Sequence, residues 1–235
     1  MTAKEILEQL KPLGAESYKK VLRNHGVPEP FFGVKIEELK KFQKQIKKDY
    51  QLALDLFDTG NYDAMYLAGL IADDMQMTKK DLHHWAKMAH CDGIAEYTVP
   101  WVASESRFGL ELAREWIESK QERIAATGWA TLSSLVAIKD DAELDVAALK
   151  KLLERAAKTI HQQPNRVRYT MNGFVIAVGS YVKELTDAAM QTAKQAGAVT
   201  VDMNGTACKV PAAADYLQKI QKRGAIGKKR KTAKC

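Results

Sequence analysis

The feature that most constrains this chain is a helical hydrophobic period that recurs almost from end to end. Apolar residues return at i, i+3, i+4 and i+7, the stripe an amphipathic helix turns toward a core. Ile6, Leu7, Leu10 and Leu13 form the first stripe, and Val34, Ile36, Leu39, Phe42 and Ile46 the next. Met65, Leu67, Ala68, Ile71 and Met75 continue it, followed by Leu82, Trp85, Ala86 and Ala89. Leu110, Leu112, Ala113, Trp116 and Ile117 come next, then Trp129, Leu132, Leu135 and Val136, then Leu149, Leu152, Leu153 and Ala156. Asn61 and Thr78 stand where helices should be capped at their N-termini, and Gly14, Gly60 and Gly197 where helices should stop. Only Ala198–Met203 reads as extended, too short and isolated to anchor a sheet. The pattern predicts an all-α fold of about ten to thirteen helices. Helix pairs fall at loose spacings of roughly 40 residues, which points to a HEAT-like α-solenoid of stacked antiparallel pairs with a concave face. A globular helical bundle is the alternative.

Composition narrows the function classes. No stretch approaches the roughly 18 consecutive apolar residues of a membrane span, and the N-terminus is charged and amphipathic rather than signal-like. Cys91, Cys208 and Cys235 are few, distant and odd in number, which suits free thiols in a reducing cytoplasm. No glycine-rich phosphate loop and no dinucleotide fingerprint occurs. His83, His84 and His90 lack a compact ligand partner set, so no metal is expected.

The net charge is +7, and its position matters more than its size. Eight basic residues and no acid lie between Leu217 and Cys235, leaving 28 basic against 29 acidic residues elsewhere. Residues 1–223 therefore read as one helical domain and 224–235 as a basic, flexible tail. Lys228, Lys229, Arg230 and Lys231 in that tail are either a solvated end or phosphate contacts. Arg166 and Arg168, at a helix start ahead of Tyr169, suit phosphate contact as well.

Several strings in a fixed order resemble the DNA alkylation repair family, HEAT-like solenoid glycosylases of alkylated purines. They are Phe31-Phe32-Gly33-Val34-Lys35 ahead of the helix at Ile36; Leu56-Phe57 leading through Asp63 to Met65-Tyr66-Leu67-Ala68; Cys91-Asp92 ahead of Val99-Pro100; and, near the end, Thr206–Pro211 and Gly227–Thr232. The resemblance covers nearly the whole chain. It implies a cytoplasmic, monomeric protein without metal or cofactor that binds double-stranded DNA, alkylated DNA included.

The implied chemistry is release of a cationic N3- or N7-alkylated purine through an oxocarbenium-like sugar, stabilised by a nearby carboxylate and by aromatic faces. Active members carry two aromatics, an Asp, two spacers and a second, catalytic Asp. Here the run is His90-Cys91-Asp92-Gly93-Ile94-Ala95-Glu96. Asp92 matches the first acid, Ala95 stands at the catalytic position, and Glu96 follows one residue later. One helical residue turns a side chain by about 100°, so Glu96 substitutes only if the backbone near Gly93 is locally adjusted. Asp92 and Glu96 are the catalytic candidates, with Tyr97 and Trp101 as aromatic neighbours. Phe174 stands where the family keeps a late aromatic, and Arg123 lies beside Ile124, where the family keeps an active-site arginine. Two readings other than a glycosylase follow: a non-enzymatic binder of DNA structures, or a HEAT-like protein-interaction scaffold.

Overall fold

The computed structural model describes residues 1–234; Cys235 lies outside the described residues. Thirteen α-helices form among them, and no strand. The N-terminal half holds α1 (Ala3–Leu10), α2 (Glu16–Asn24), α3 (Ile36–Ile46), α4 (Tyr50–Asp58), α5 (Tyr62–Ile71), α6 (Lys79–Met88), α7 (Val99–Glu105) and α8 (Gly109–Trp116). The C-terminal half holds α9 (Glu122–Ile138), α10 (Val146–Thr159), α11 (Asn165–Tyr181), α12 (Thr186–Ala196) and α13 (Ala213–Lys222). A π-helical turn, Ile94–Thr98, leads into α7. The all-α expectation holds.

The local signals act as their chemistry requires. Thr78 and Asp81 form a reciprocal capping box at the start of α6, and Asn61 accepts from the N–H groups of Asp63 and Ala64 at the start of α5. Gly60 and Gly197 end helices at φ of 66° and 64°, where a Cβ would be strained. Gly14 has a different reason. A Cβ there would lie 2.2 Å from the Phe32 carbonyl oxygen, in the close approach that pairs Gly14 with Val34. Residues 198–203 are irregular and pair with no strand.

Two apolar clusters make the core. The first joins α1 through α8 and contains Phe57 stacked on Trp85, ring centroids 4.1 Å apart. Helix α5 is its centre: every residue from Asp63 to Ile71 is buried, as expected of a helix apolar on all sides. The second cluster runs from the end of α8 to α13, and Trp129 meets Phe174 edge-to-face at 5.1 Å within it. Asp63 is buried at the edge of the first cluster. It accepts from the N–H groups of Phe32 (2.6 Å), Gly33 (3.1 Å) and Val34 (2.9 Å), so it fastens the loop before α3 onto α5.

The basic segment expected to be flexible packs against the body instead. It runs from α13 back to the first cluster, where Ala233 is 1% exposed. Gly227 N–H donates to Ser180 O at the end of α11 (2.8 Å), and Arg230 N–H to Ala137 O at the end of α9 (2.7 Å). Lys229 Nζ donates to Val136 O (2.9 Å) and pairs with Asp141. Thr232 and the Ala233 N–H bond to Glu105. Lys234 Nζ is buried, 3.1 Å from Ala72 O just past α5 and 2.9 Å from Asp74. The last carbonyls of a helix have no partner within it and carry partial negative charge. The strap supplies N–H groups and ammonium ions to three such ends, which is why a run of cations docks rather than floats.

Lys234→Met should therefore destabilise the fold by about 3 kcal/mol, the scale for breaking a buried ion pair, because Asp74 keeps only the exposed Lys48. Lys231→Ala, an exposed member of the same run, should change stability by less than about 0.5 kcal/mol. Urea unfolding of both variants checks this; equal and small effects would contradict the strap.

Candidate nucleic-acid interface

The π turn settles where the two acidic candidates point. Its wider winding, closed by Val99 N–H to Ile94 O, takes up one extra residue immediately after Gly93. Ala95, at the family's acidic position, turns into the core at 0% exposure. Glu96 instead faces a cavity of about 390 Å³. The local adjustment that Glu96 needed is present. Gly93 leaves room for Tyr62, since a Cβ there would lie 3.1 Å from the Tyr62 hydroxyl oxygen and 3.3 Å from its ring.

Asp92 and Glu96 meet Arg166, which crosses from the start of α11. Arg166 Nε donates to Glu96 Oε1 at 2.7 Å and Nη2 to Oε2 at 2.6 Å, a two-pronged contact. Asp92 Oδ2 lies 3.1 Å from the same Nε. The guanidinium also covers the Tyr169 ring, 4.5 Å from its centroid, and the Arg166 backbone N–H donates to Glu122. The Glu96 side chain is 2% exposed and that of Arg166 16%. Burial pushes the Glu96 carboxyl up to about 7, opposed by the hydrogen bonds and charge of Arg166. Arg166 in turn is held above its ordinary range by Glu96 and Asp92 against its own desolvation.

Aromatic rings surround this group. Tyr66 stands edge-on to Trp101 at 5.4 Å, and Tyr97 lies 6.3 Å from the same indole. Tyr18 and Tyr62 complete the wall from α2 and α5. Tyr97 is 45% exposed despite its size. Burial raises its hydroxyl pKa, as it does for Tyr62. Met203, Asn204 and Cys208, from the irregular segment after α12, line the opposite rim.

The remaining candidates divide. Phe174 was expected to offer an aromatic face to DNA; it is 0% exposed and packs on Trp129, so it offers none. Arg166 was expected to be free for phosphate; both acids hold it. Lys229 is held by Asp141 and Val136. Arg123 is exposed and close enough to His90 to add to the lowering of that imidazole's pKa, which burial dominates. Arg168 reaches Asn165 Oδ1 at 3.5 Å. Lys228, Arg230 and Lys231 face solvent. The three histidines have separate neighbours: Trp116 for His83, Asp58 for His84 and the Gly60 carbonyl for His90. Tyr18, Tyr62, Tyr66 and Tyr169 were not singled out from sequence; they come together only in three dimensions.

A family model described as DNA alkylation repair enzyme matches residues 6–210. The chain belongs to that family. It is 32% identical over 229 residues to the uncharacterized protein Lmo0209 of Listeria monocytogenes, covering 95% of this chain and 99% of the relative. The uncharacterized protein Lin0241 of Listeria innocua is 31% identical over the same length and shares. A solved structure described as "a new family of proteins related to the HEAT-like repeat DNA glycosylases with affinity for branched DNA structures" superposes with a TM-score of 0.93 at 34% identity, covering all of both chains. The fold is thus HEAT-like, as its helix pairing suggested.

Arg166→Met should expose the strain that Glu96 carries. Without the guanidinium, the already raised Glu96 pKa rises further. A raised folded-state pKa gives stability that is complete below the unfolded value and lost as pH climbs through the folded one. The melting temperature of Arg166→Met should fall more steeply than wild type between about pH 5 and 8, and Glu96→Gln added to it should flatten the curve. Parallel curves for wild type and Arg166→Met would contradict this.

Proposed function

We propose that this protein binds branched DNA and does not excise alkylated bases. The observation that carries the reading is the Arg166 fork. An excision site needs a carboxylate free to face a sugar that is becoming positive. Here one guanidinium already contacts both acids, at 2.6–2.7 Å for Glu96 and 3.1 Å for Asp92. Both acids are engaged with that guanidinium before DNA arrives, and His90 and Cys91 stand here in place of the aromatic pair that active members carry. The solved relative with affinity for branched DNA supports the branched-DNA part of the reading.

Binding falls to the exposed cations. Arg123, Lys228, Arg230 and Lys231 are exposed, and Arg168 stands near Tyr169 at the start of α11. They suit phosphate backbone rather than base edges, so recognition follows the shape of the DNA more than its sequence.

Competition binding with a four-way junction, a flap and a linear duplex should rank the branched forms first. Lys228→Ala and Lys231→Ala should each weaken binding and reduce the log–log salt slope by roughly 0.9 per lost phosphate contact. A methylated duplex incubated with the protein should release no base. Release of methylpurine that Glu96→Gln abolishes would overturn this reading.

A further inference from the structure

A second cavity, of about 280 Å³, adjoins the acid–arginine cavity. Glu96, Tyr97, Trp101 and Tyr169 line both, so a partition of three aromatic side chains and the Arg166-bound carboxylate stands between them. Neither Asp92 nor Arg166 borders the second cavity, and Ala95 and Phe174, the positions of the family's acid and late aromatic, are absent from it. Its other sides come from facing stretches of α9 and α11: Ser133 and Ser134 from one, Gly173 and Tyr181 from the other. A Cβ built on Gly173 meets nothing within 4 Å, so the space beside that backbone is open.

Arg230 stands at the cavity edge. The strap fixes it there, through its N–H on Ala137 O at 2.7 Å and its Nη2 on the Lys234 carbonyl at 3.3 Å. No carboxylate pairs with it among the described residues. The cavity therefore combines aromatic rings, hydroxyl groups, one edge of the Arg166-bound Glu96 carboxylate and a cation, Arg230, that no carboxylate pairs.

We propose that this cavity seats a single unpaired nucleotide at the point where DNA strands diverge, its base against the aromatic partition and its phosphate on Arg230. The proposal rests on the branched-DNA reading and gives it a physical cause. A base stacks on an aromatic face whatever its identity. A base inside a continuous duplex must first unstack and unpair to enter such a space, at a cost of a few kcal/mol, whereas one already unpaired at a branch enters without that cost. The cavity thereby separates branched from linear DNA without reading sequence. The cation at its mouth and the neighbouring Lys228 and Lys231 favour a phosphodiester chain over a neutral ligand.

The test uses the full chain and a forked duplex carrying 2-aminopurine at the branch nucleotide. Wild type should quench the probe and bind the fork more tightly than a linear duplex. Gly173→Leu fills the open space without displacing a neighbour; it should leave the thermal melt and the linear-duplex affinity unchanged, remove the quenching and weaken fork binding about tenfold, the scale of one stacked base. Tyr97→Ala, at an exposed position, should reduce the quenching in the same way. Undiminished fork preference and quenching in Gly173→Leu would overturn the proposal and leave the branched-DNA reading standing. A wild-type protein with no fork preference would overturn both. Free deoxyadenosine monophosphate that binds wild type but not Gly173→Leu, with fork binding equal in the two, would assign the cavity to a mononucleotide instead and overturn the proposal.

Discussion

The contact between Arg166 and Glu96 joins residues 70 positions apart in sequence, one on α11 and one on the π turn. It is the charged tie between the C-terminal helices and the N-terminal ones at the floor of the main cavity. A buried carboxylate is costly in an apolar setting and persists when a cation and hydrogen bonds compensate it. Arg166 does so with two bonds to Glu96, leans on Tyr169, and draws Asp92 to the same guanidinium. The π turn presents Glu96 and the start of α11 presents Arg166, so the tie joins the two halves at the cavity. The same tie engages both carboxylates, and the proposed lack of base excision rests on it.

The basic segment near the C-terminus obeys the same electrostatics with the signs placed differently. Carbonyls at the ends of α9 and α11 and just past α5 take N–H groups and ammonium ions from a strap that ends on Asp74. Lys229 and Lys234 are structural; Lys228, Arg230 and Lys231 remain outward. A charge run is therefore split along a few residues, and counting its cations overstates how many face solvent.

Much of the fold was legible because helical period, caps and stops are local. Thr78 and Asn61 cap where their side chains allow it, and Gly60 and Gly197 stop helices where positive φ is needed. The family's strings also survive as contacts: Asp63 binds the N–H groups of Phe32, Gly33 and Val34, which stand in a different string of the sequence. The site was only half legible. Asp92, Glu96, Tyr97 and Trp101 are near one another in sequence and stay together in space. Arg166 was singled out for phosphate, because nothing local announces that its partners lie on another helix. Phe174 reads as an available aromatic, yet Trp129, 45 residues earlier, covers it. The docking of the strap depends on orphan carbonyls, and sequence does not display them.

A double-mutant cycle on Glu96 and Arg166 measures the strength of their tie. Stability is measured for wild type, Glu96→Gln, Arg166→Met and the double variant by denaturant unfolding at neutral pH. A favourable coupling of about 2 kcal/mol or more is expected, within the range for residues sharing one buried charge network. Additive effects of the two substitutions, within about 0.3–0.5 kcal/mol, would show that the carboxylate is not tied to the guanidinium and would contradict the account.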